Sequence, residues 1–441
     1  MKRHALAAVV LMLAAVSGMA FGQSLNARRT GMGGVLLPGG GPGSDAINVA
    51  YHAVPPAPNA SSEMSLPIGL VPLLTDPPTL DPQDADFNVY DLANKLYNPP
   101  WNLQLVEPDQ PSSDVVVSLG RDYLGVQLGE IASLFPDDRS RFGAVTHLPA
   151  LGFGVRRFFA NLSAVTHYQN ELNMNDPLYR ALAQGEPFRT STQYAVNDDA
   201  TGQAAAALQL GWAGAIAGRD PDDAKDRSGL YVGARAKLLR GLAYADARNQ
   251  VAFTTSDTLF SASPVELDYV AHIRTAVPAD GGWGEGYDVG AVWVVNGFEI
   301  GVGANDLATR VRWSVEERIA TRDSVTNEVK STVVARDVAL TSEIPPTYTV
   351  TAAKRLGGTL VAADAVRGLF DTTFHLGAER WVGPLALRAG GSLDAERKLQ
   401  YAGGLGLKLW RLGVDAGVAT HSRNLSHERG VELGVGLALY H

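Results

Sequence analysis

His375 is the best-placed general base in this chain, because a histidine paired with a carboxylate is the arrangement that activates a serine in hydrolases. The alternation of its strand puts His375 on the face opposite Phe374 and Leu376, with Glu379 two steps farther along that face. No serine nucleophile can be assigned to this pair from the sequence. An inward histidine is more often a hydrogen-bonding residue than a catalyst, so we predict no enzyme. A hydrolase stays as an alternative that a serine within reach of His375 would support.

The densest set of potential cation ligands is four aspartates in one polar connection, Asp220, Asp222, Asp223 and Asp226. Their spacing lacks the central glycine and the distal glutamate of a calcium-binding loop. The nine histidines are scattered, with no pair at metal-ligand spacing on a predicted helix. The chain has no cysteine to supply a thiolate. We therefore predict a solvated loop here, with neither a metal site nor a cofactor.

A glycine-rich run near the N-terminus, Gly31, Met32, Gly33 and Gly34, has a different use. Glycine permits positive φ and close backbone approach, so these residues can form a tightly packed turn that plugs a larger structure. A phosphate-binding loop is excluded, because no Lys-Ser/Thr pair follows and no strand precedes the run. The prediction is a plug motif, and a flexible N-terminal arm is the alternative.

The elements that must position these residues are clearest at the C-terminus. From Leu399 to His441, apolar residues alternate with small or polar ones almost without a break. Leu405 and Leu407 fall on one face, and Gly404 and Gly406 on the other. A period of two indicates β-strands, and each run is close to the ~9–11 residues with which a tilted strand crosses a bilayer. The pattern favours a transmembrane antiparallel β-barrel, with a soluble β-sandwich as the alternative.

The first residues have the form of a secretory signal. Lys2 and Arg3 precede an apolar run, Ala5–Val16, and small residues lead to a predicted cleavage between Gly22 and Gln23. An uncleaved anchor helix is the alternative. The absence of cysteine excludes a lipoprotein anchor and a disulfide framework. The net charge of −9 gives no footprint for nucleic acid.

Three zones follow from these patterns. Residues 1–22 are the signal peptide, residues 23–100 a Gly- and Pro-rich, partly helical hatch, and residues 101–441 the barrel. One helix is predicted within the hatch, with Asp86 as its N-cap and Pro99 ending it. We expect about 14 membrane strands, with 12–16 accepted.

The polar stretches between strands are predicted to be loops. The longest runs from Asn170 to Thr201, with a short helix around Pro177–Ala183. Glu316–Lys330 is a second long connection, and tight turns such as Asn296–Gly297 alternate with them. Several strands are predicted as separate runs: Arg141–His147, Leu151–Thr166, Gly229–Leu242, Leu242–Thr255, Phe298–Ala304 and Thr309–Ile319.

Charged residues alternate with apolar ones within one of these runs. Arg310, Arg312, Glu316 and Arg318 share a face, and apolar residues lie between them. A charge that faces lipid at the bilayer midplane costs roughly 2–4 kcal/mol. The prediction is that these charges line the lumen.

Several motifs together resemble those of one family. Asn26-Ala-Arg-Arg-Thr-Gly-Met-Gly-Gly34 is similar to the opening of FadL-type outer-membrane proteins, and Ser44-Asp-Ala-Ile-Asn-Val-Ala-Tyr51 to the next element. The sequence departs at His52-Ala-Val-Pro-Pro, where family members usually continue with Asn-Pro-Ala-Gly. Gly286–Trp293 and Phe298–Asn305 resemble paired strands of the PorV and TraF-like branches. The resemblance covers both ends and most of the last third of the chain.

The resemblance implies a fourteen-stranded barrel in the outer membrane, whose N-terminal segment folds into the lumen as a hatch. In transport members of the family, the hatch and a lateral opening pass hydrophobic molecules. The expected partners are therefore outer-membrane lipid and a hydrophobic small molecule. Other branches are secretion or conjugation accessories, so a non-transporting barrel that docks an envelope protein through Asn170–Thr201 is the alternative.

Overall fold

The chain forms an all-β structure, as predicted. The computed structural model describes residues 27–37, 48–65, 116–120, 123–127, 138–155, 157–218, 226–257, 265–276, 281–322, 329–393, 399–420 and 431–440. One antiparallel sheet holds 16 strands, and two further strands form a separate hairpin. Within these ranges, no helix has the length and apolar character needed to cross a membrane.

The helices are few and short. They are α1 (Ala27–Thr30), a 3-10 helix (Val49–Ala53) and α2 (Asp176–Ala183). Asn175 caps α2 by accepting a hydrogen bond from the backbone N–H of Leu178, and a proline lies in the first turn. The helix predicted around Pro177–Ala183 is therefore confirmed.

The strands make up most of the described chain. Their bounds are β1 (Ser61–Ser65), β2 (Val116–Gly120), β3 (Tyr123–Gln127), β4 (Arg139–Val155), β5 (Phe158–Met174), β6 (Gln193–Ala217), β7 (Gly229–Thr255), β8 (Val265–Ala276), β9 (Trp283–Val295), β10 (Phe298–Arg322), β11 (Val329–Glu343), β12 (Thr347–Leu356), β13 (Thr359–Arg367), β14 (Thr372–Val382), β15 (Leu385–Leu393), β16 (Leu399–Leu409), β17 (Leu412–Thr420) and β18 (Val431–Tyr440).

In the sheet, β1 pairs with β18, and the strands then follow in descending order from β18 to β12. The order continues through β10, β8, β7, β6 and β5 to β4. β8 and β9 lie end to end, since both pair with β7 and with β10. β11 and β12 likewise pair with successive parts of β10. With these two pairs each counted once, the sixteen strands follow fourteen paths, the number predicted. β1 and β4 are the edges of the sheet as described.

The two ends of the sheet differ. Two-residue turns join β9 to β10, β12 to β13, β14 to β15 and β16 to β17 at what we call the short-turn end. In the first of these, Asn296 and Gly297 have φ of 46° and 75°, the conformation of a type I′ hairpin turn. At the opposite, long-hairpin end, β6 and β7 extend to 25 and 27 residues.

The outer face of the sheet is apolar near the short-turn end. On β16, Leu405, Leu407 and Leu409 are exposed while Gly406 is buried, which confirms the alternation predicted for the C-terminus. The same holds on β9 and β10, where Trp293 and Val302 are about half exposed, at 51% and 50%. We call this band of exposed apolar side chains the apolar belt.

The predicted break between Arg141–His147 and Leu151–Thr166 is wrong. β4 continues through Pro149 to Val155, and the turn to β5 follows it. Pro149 lies at a register shift in the pairing with β5. Proline lacks the N–H that a central strand must donate, and β4 is an edge strand of the described sheet, where proline is tolerated. The pairs of runs within β7 and within β10 are likewise single strands.

The long loop predicted over Asn170–Thr201 is also wrong outside α2. β5 extends to Met174 and β6 begins at Gln193, so Asn170 pairs with Ala200 in a regular ladder. Most of the predicted Glu316–Lys330 connection is strand as well, because β10 ends at Arg322 and β11 begins at Val329. Polar residues predominate in both stretches, and the few apolar side chains of the first, such as Met174 and Tyr194, pack with α2 at its end.

The face predicted for the charges of Thr309–Ile319 is inverted. Val311 and Trp313 are buried on the inner face, and Arg310 and Arg312 are exposed on the outer face. The lumen prediction assumed that lipid contacts the outer face along the whole strand. This part of β10 lies beyond the apolar belt, where the exposed outer face carries charges.

Only part of the predicted hatch is described. The signal peptide, the cleavage residues Gly22 and Gln23, and the helix between Asp86 and Pro99 lie outside the described residues. Within residues 23–100, β1 pairs with β18 through Ser61 and Tyr440. One strand of the sheet therefore precedes the boundary predicted at residue 100.

Candidate functional site

The N-terminal residues 27–37 and 48–60, which we call the inner segment, lie against the inner face of the sheet. Gly31 approaches β16 so closely that a Cβ on it would lie 2.8 Å from Cα of Gly404. Gly33 and Gly34 have φ of 72° and 79°, and a Cβ on Gly33 would lie 2.5 Å from the backbone nitrogen of Gly391. The predicted motif of Gly31, Met32, Gly33 and Gly34 is thus a close backbone contact in which Met32 is fully buried.

The second part of the inner segment contacts the other half of the sheet. The side chain of Asn48 donates hydrogen bonds to the carbonyls of Ala291 and Val302, at 3.1 and 2.8 Å. A Cβ on Gly233 of β7 would lie 3.0 Å from backbone atoms of the 3-10 helix. Contacts of the inner segment therefore extend from β7 to β18 on one face, which requires the sheet to curve around it.

Buried charges tie α1 to β14, β15 and β17. Arg28 donates from Nε and Nη2 to the two carboxylate oxygens of Glu379, at 2.8 and 2.6 Å. Arg388 donates to Glu379 at 2.8 Å and contacts Asp415 at 2.5 Å. These four residues, the segment ion network, carry two positive and two negative charges, so the cluster is neutral as a whole. Breaking it from one side would leave a buried charge unpaired.

A second buried network lies farther along the inner face and is built from the sheet alone. Lys237 is fully buried, and its Nζ lies 2.7 Å from both Asp288 and Asp306. Arg235 donates to Asp288 at 2.6 Å, and Nε2 of His147 lies 2.7 Å from Asp306. We call this the wall ion network. Its members come from four strands of the sheet, β4, β7, β9 and β10, so the network fixes the register of these strands relative to one another.

A third group of charges links the wall to the inner segment. Arg227 and Arg355 both donate to the buried carboxylate of Glu299, at 2.7 and 3.2 Å. Arg227 also donates to the backbone carbonyl of Pro55, at 2.8 Å. The inner segment is thus held at both of its ends by charge-assisted hydrogen bonds.

Toward the long-hairpin end, the inner face changes from charged to apolar. Trp313 is the largest member, and its Nε1 donates to Ser342 at 2.8 Å. Tyr244 lies 5.5 Å from the Trp313 ring, centre to centre, and its hydroxyl donates to Asp246 at 2.7 Å. With their polar atoms satisfied, both rings are buried and pack with apolar neighbours. The inner apolar cluster comprises Val165, Ala205, Ala207, Leu239, Tyr244, Ala276, Val311, Trp313, Val315 and Ile344.

A polar cavity of about 280 Å³ adjoins this cluster beyond the apolar belt. Arg274 lines it and donates to both oxygens of Asp246, at 2.9 and 2.6 Å. Burial, followed by the hydrogen bond to Asp246, raises the pKa of Tyr244. The hydrogen bond to Asp246 raises the pKa of Arg274, although partial desolvation opposes it. The charged groups that line the cavity are therefore largely paired with one another.

His375, the candidate general base, has a structural partner. Its Nδ1 lies 2.6 Å from Asp364, whose other oxygen accepts a hydrogen bond from the backbone N–H of Leu36 at 2.6 Å. Ser392 is the register neighbour of His375, but its hydroxyl donates to Gln400 at 3.1 Å. Glu379 instead accepts hydrogen bonds from Arg28. Across the described chain, no serine is hydrogen-bonded to His375. Its contact with Asp364, which binds the backbone N–H of Leu36, helps to hold the inner segment in place.

The aspartate cluster is only partly covered. Asp220, Asp222 and Asp223 lie outside the described residues, and Asp226 accepts a hydrogen bond from the backbone N–H of Ser228 at 2.9 Å. In the parts of the chain with described coordinates, no group of three or more His, Cys, Asp or Glu is placed to hold a metal ion.

Known structures with similarity to this chain are described as toluene transporters and porins. The toluene transporter TbuX of Ralstonia pickettii is 14% identical over 75% of this chain and 98% of its own, with a TM-score of 0.31. The toluene transporter TodX of Pseudomonas putida is 12% identical over 70% and 90%, with a TM-score of 0.27. A porin variant from Rhodopseudomonas blastica is 10% identical over 55% and 100%, with a TM-score of 0.21. No family model and no curated protein matches the sequence. The proposals below rest on this chain's own geometry.

Proposed function

We propose that this protein is an integral outer-membrane β-barrel that admits small hydrophobic molecules passively. The observation that carries the proposal is the inner apolar cluster, which lies on the inner face toward the long-hairpin end, whereas the outer face is apolar nearer the short-turn end. An apolar outer band suits a lipid surround, and an apolar region of the interior suits contact with an apolar ligand.

The inner segment argues against a permanently open aqueous pore. It lies between the inner apolar cluster and the short-turn end, and neutral ion networks and close glycine contacts hold it there. A ligand that reaches the cluster therefore needs either a movement of this segment or a route through the wall. The segment's motif, Gly31 to Gly34, is the part whose backbone could rearrange most readily, because glycine adopts many conformations.

A reversible lock on the inner segment tests the proposal. A Cβ placed on Gly434 of β18 would lie 3.4 Å from Cβ of Ala27, close to the spacing of a disulfide. The chain contains no cysteine, so A27C/G434C would form a single defined bond. With a fluorescent fatty acid and outer-membrane vesicles, we expect uptake to fall at least about tenfold when the bond is oxidised and to return on reduction.

The single variants A27C and G434C are the controls, since they carry the substitutions without the bond. If the oxidised double variant takes up the fatty acid as fast as the single variants do, movement of α1 is not part of the route. If the unmodified protein also gives no uptake above empty vesicles, the transport proposal fails as a whole.

The alternative of a non-transporting accessory loses its candidate contact. The Asn170–Thr201 stretch that was to dock an envelope protein is a paired strand ladder with one helix. The remaining described residues give no separate observation in favour of an envelope partner, and we do not propose one.

A further inference from the structure

Two outward arginines flank one tryptophan across three neighbouring strands. Arg240 of β7 and Arg312 of β10 are both register partners of Trp283 on β9. The guanidinium of Arg240 lies 5.1 Å from the centre of the Trp283 ring. Trp283 is 66% exposed, and Arg312 is exposed as well. We call these three residues the outer arginine row.

The row lies just beyond one boundary of the apolar belt, one step past the exposed charges of Glu285 and Arg310. Trp293 faces outward on the same strand, ten residues beyond Trp283, and marks the other boundary near the short turns. Ten residues of strand span ~33 Å, or about 25 Å along the membrane normal at a tilt near 40°. That is the height of the apolar band of outer-membrane barrels, whose edges carry aromatic girdles. On the proposed function, the row therefore lies at headgroup level on the long-hairpin side.

The charges of the row are available to a ligand. Across the described residues, neither Arg240 nor Arg312 forms an ion pair with a carboxylate. Arg310, one step closer to the belt, differs because it pairs with Glu343 at 3.2 Å and is the register partner of exposed Glu285. The available positive charge is thus concentrated on the two arginines that flank Trp283.

The opposite edge of the belt has a different pattern. There, Arg411 lies 5.7 Å from the ring of Trp410 and Lys354 lies 3.7 Å from the ring of Phe298. In each case one cation lies over one ring, as Arg240 lies over Trp283. The outer arginine row differs because a second exposed arginine, Arg312, is the register partner of Trp283 on the strand at its other side. Two arginines on the strands that flank one residue can contact an anionic headgroup together.

We propose that Arg240 and Arg312 bind the phosphate of a phosphorylated glycolipid in the outer leaflet, with Trp283 at the junction between sugar and acyl chains. Guanidinium is suited to this because its planar donors match phosphate oxygens in pairs. The apolar belt below the row, including Leu238 and Val289, would contact the acyl chains. The site thus rests on the proposed membrane location and adds a specific lipid partner.

The test uses the full mature chain in detergent micelles and native mass spectrometry. The probes are bis-phosphorylated hexa-acyl lipid A, the same lipid after phosphatase treatment, and glucosamine 1-phosphate, which has no acyl chains. The variant is R240Q/R312Q. The matched control is R411Q, which removes an arginine from a tryptophan at the opposite edge.

We expect the parent protein and R411Q to bind bis-phosphorylated lipid A equally. R240Q/R312Q should bind it at least about tenfold more weakly. The dephosphorylated lipid should bind the parent about as weakly as the phosphorylated lipid binds the variant. Glucosamine 1-phosphate should bind far more weakly than the lipid.

The proposal is overturned if R240Q/R312Q binds bis-phosphorylated lipid A like the parent, or if phosphatase treatment does not weaken binding to the parent. Tight binding of glucosamine 1-phosphate would assign the row to a soluble phosphate and also overturns it. The phosphatase comparison uses the parent alone, so it decides even if the variant fails to fold. Membrane fractionation separates the two proposals: a protein absent from the outer membrane contradicts the proposed function, whereas a lipid-binding failure alone does not.

Discussion

The inner and outer faces of β10 exchange character along its length. Near the short-turn end, Glu299 is fully buried inside and Val302 is exposed outside. Near the long-hairpin end, Val311 is fully buried inside and Arg310 is exposed outside. One strand with one backbone periodicity thus has two opposite patterns of polarity. On the proposed function, lipid surrounds one region and water the other, and the medium determines which residue types each face accepts.

Removal of a charge from the charged interior should have the largest effect. Lys237→Met leaves Asp288 and Asp306 buried without their shared cation. We expect a loss of about 3–5 kcal/mol in the free energy of unfolding, because a buried carboxylate without its partner is strongly destabilising. Urea unfolding in detergent, followed by the heat-modified shift on a gel, measures it. A loss below about 1 kcal/mol would mean that the wall ion network does not hold this region together.

Removal of apolar volume from the inner apolar cluster should lower the free energy of unfolding by a smaller amount. Val311→Ala deletes two buried methyl groups from the inner apolar cluster, and we expect a loss of about 2 kcal/mol by the same unfolding assay. Val302→Ala on the apolar belt is the matched control and should lose well under half as much, because Val302 is half exposed. Equal losses at the two positions would contradict the assignment of inner and outer faces.

The packing of the inner segment against β15 can be weakened without a change of charge. Gly33→Ala would place a Cβ 2.5 Å from a backbone atom of β15 at a φ of 72°. We expect trypsin to cleave after buried Arg28 at least about tenfold faster, which corresponds to a loss of about 1.4 kcal/mol of local stability. Gly357→Ala is the control, since it also has positive φ but nothing within 4 Å of a Cβ. Equal cleavage rates in the two variants would show that close packing of Gly33 is unimportant.

The smallest effect is expected for an exposed ion pair. Arg310→Gln removes the pair with Glu343, in which both side chains are more than half exposed. Such pairs contribute roughly 0–1 kcal/mol, so the unfolding midpoint should change little. A loss comparable with that of Lys237→Met would place Arg310 in the interior, as the sequence first suggested, and would refute the inversion along β10.

The sequence predicts the bounds of strands in which apolar residues alternate strictly with small or charged ones. β14, β17 and β18 begin and end where the alternation places them, because large apolar residues alternate there with glycine and charge. The close backbone packing of the Gly31–Gly34 motif was also recognisable, since a contact as close as that of Gly33 admits only glycine, whereas its role as a plug stays a prediction. Both signals are local, so a single chain displays them.

Other features depend on pairing that a sequence does not display. The partners Arg28 and Glu379 are 351 residues apart, and Lys237 lies between carboxylates of two other strands. The ladder that pairs Asn170 with Ala200 is rich in Asn and Asp, and its large apolar residues are confined to the end beside α2, so its sequence resembles a loop. The face of Arg310 could not be assigned because its alternation is identical whether lipid or water lies outside.

A spin-label scan of β10 tests the central claim most directly. With single cysteines from residue 298 to residue 316 in a chain that has none of its own, labels report access to oxygen in lipid or to a soluble nickel chelate. We predict oxygen access at 298, 300 and 302, nickel access at 310 and 312, and little access to either at 299, 301, 311 and 313. Nickel access at 300 and 302 in the folded, vesicle-bound protein would contradict a lipid-embedded belt and with it the proposed membrane barrel.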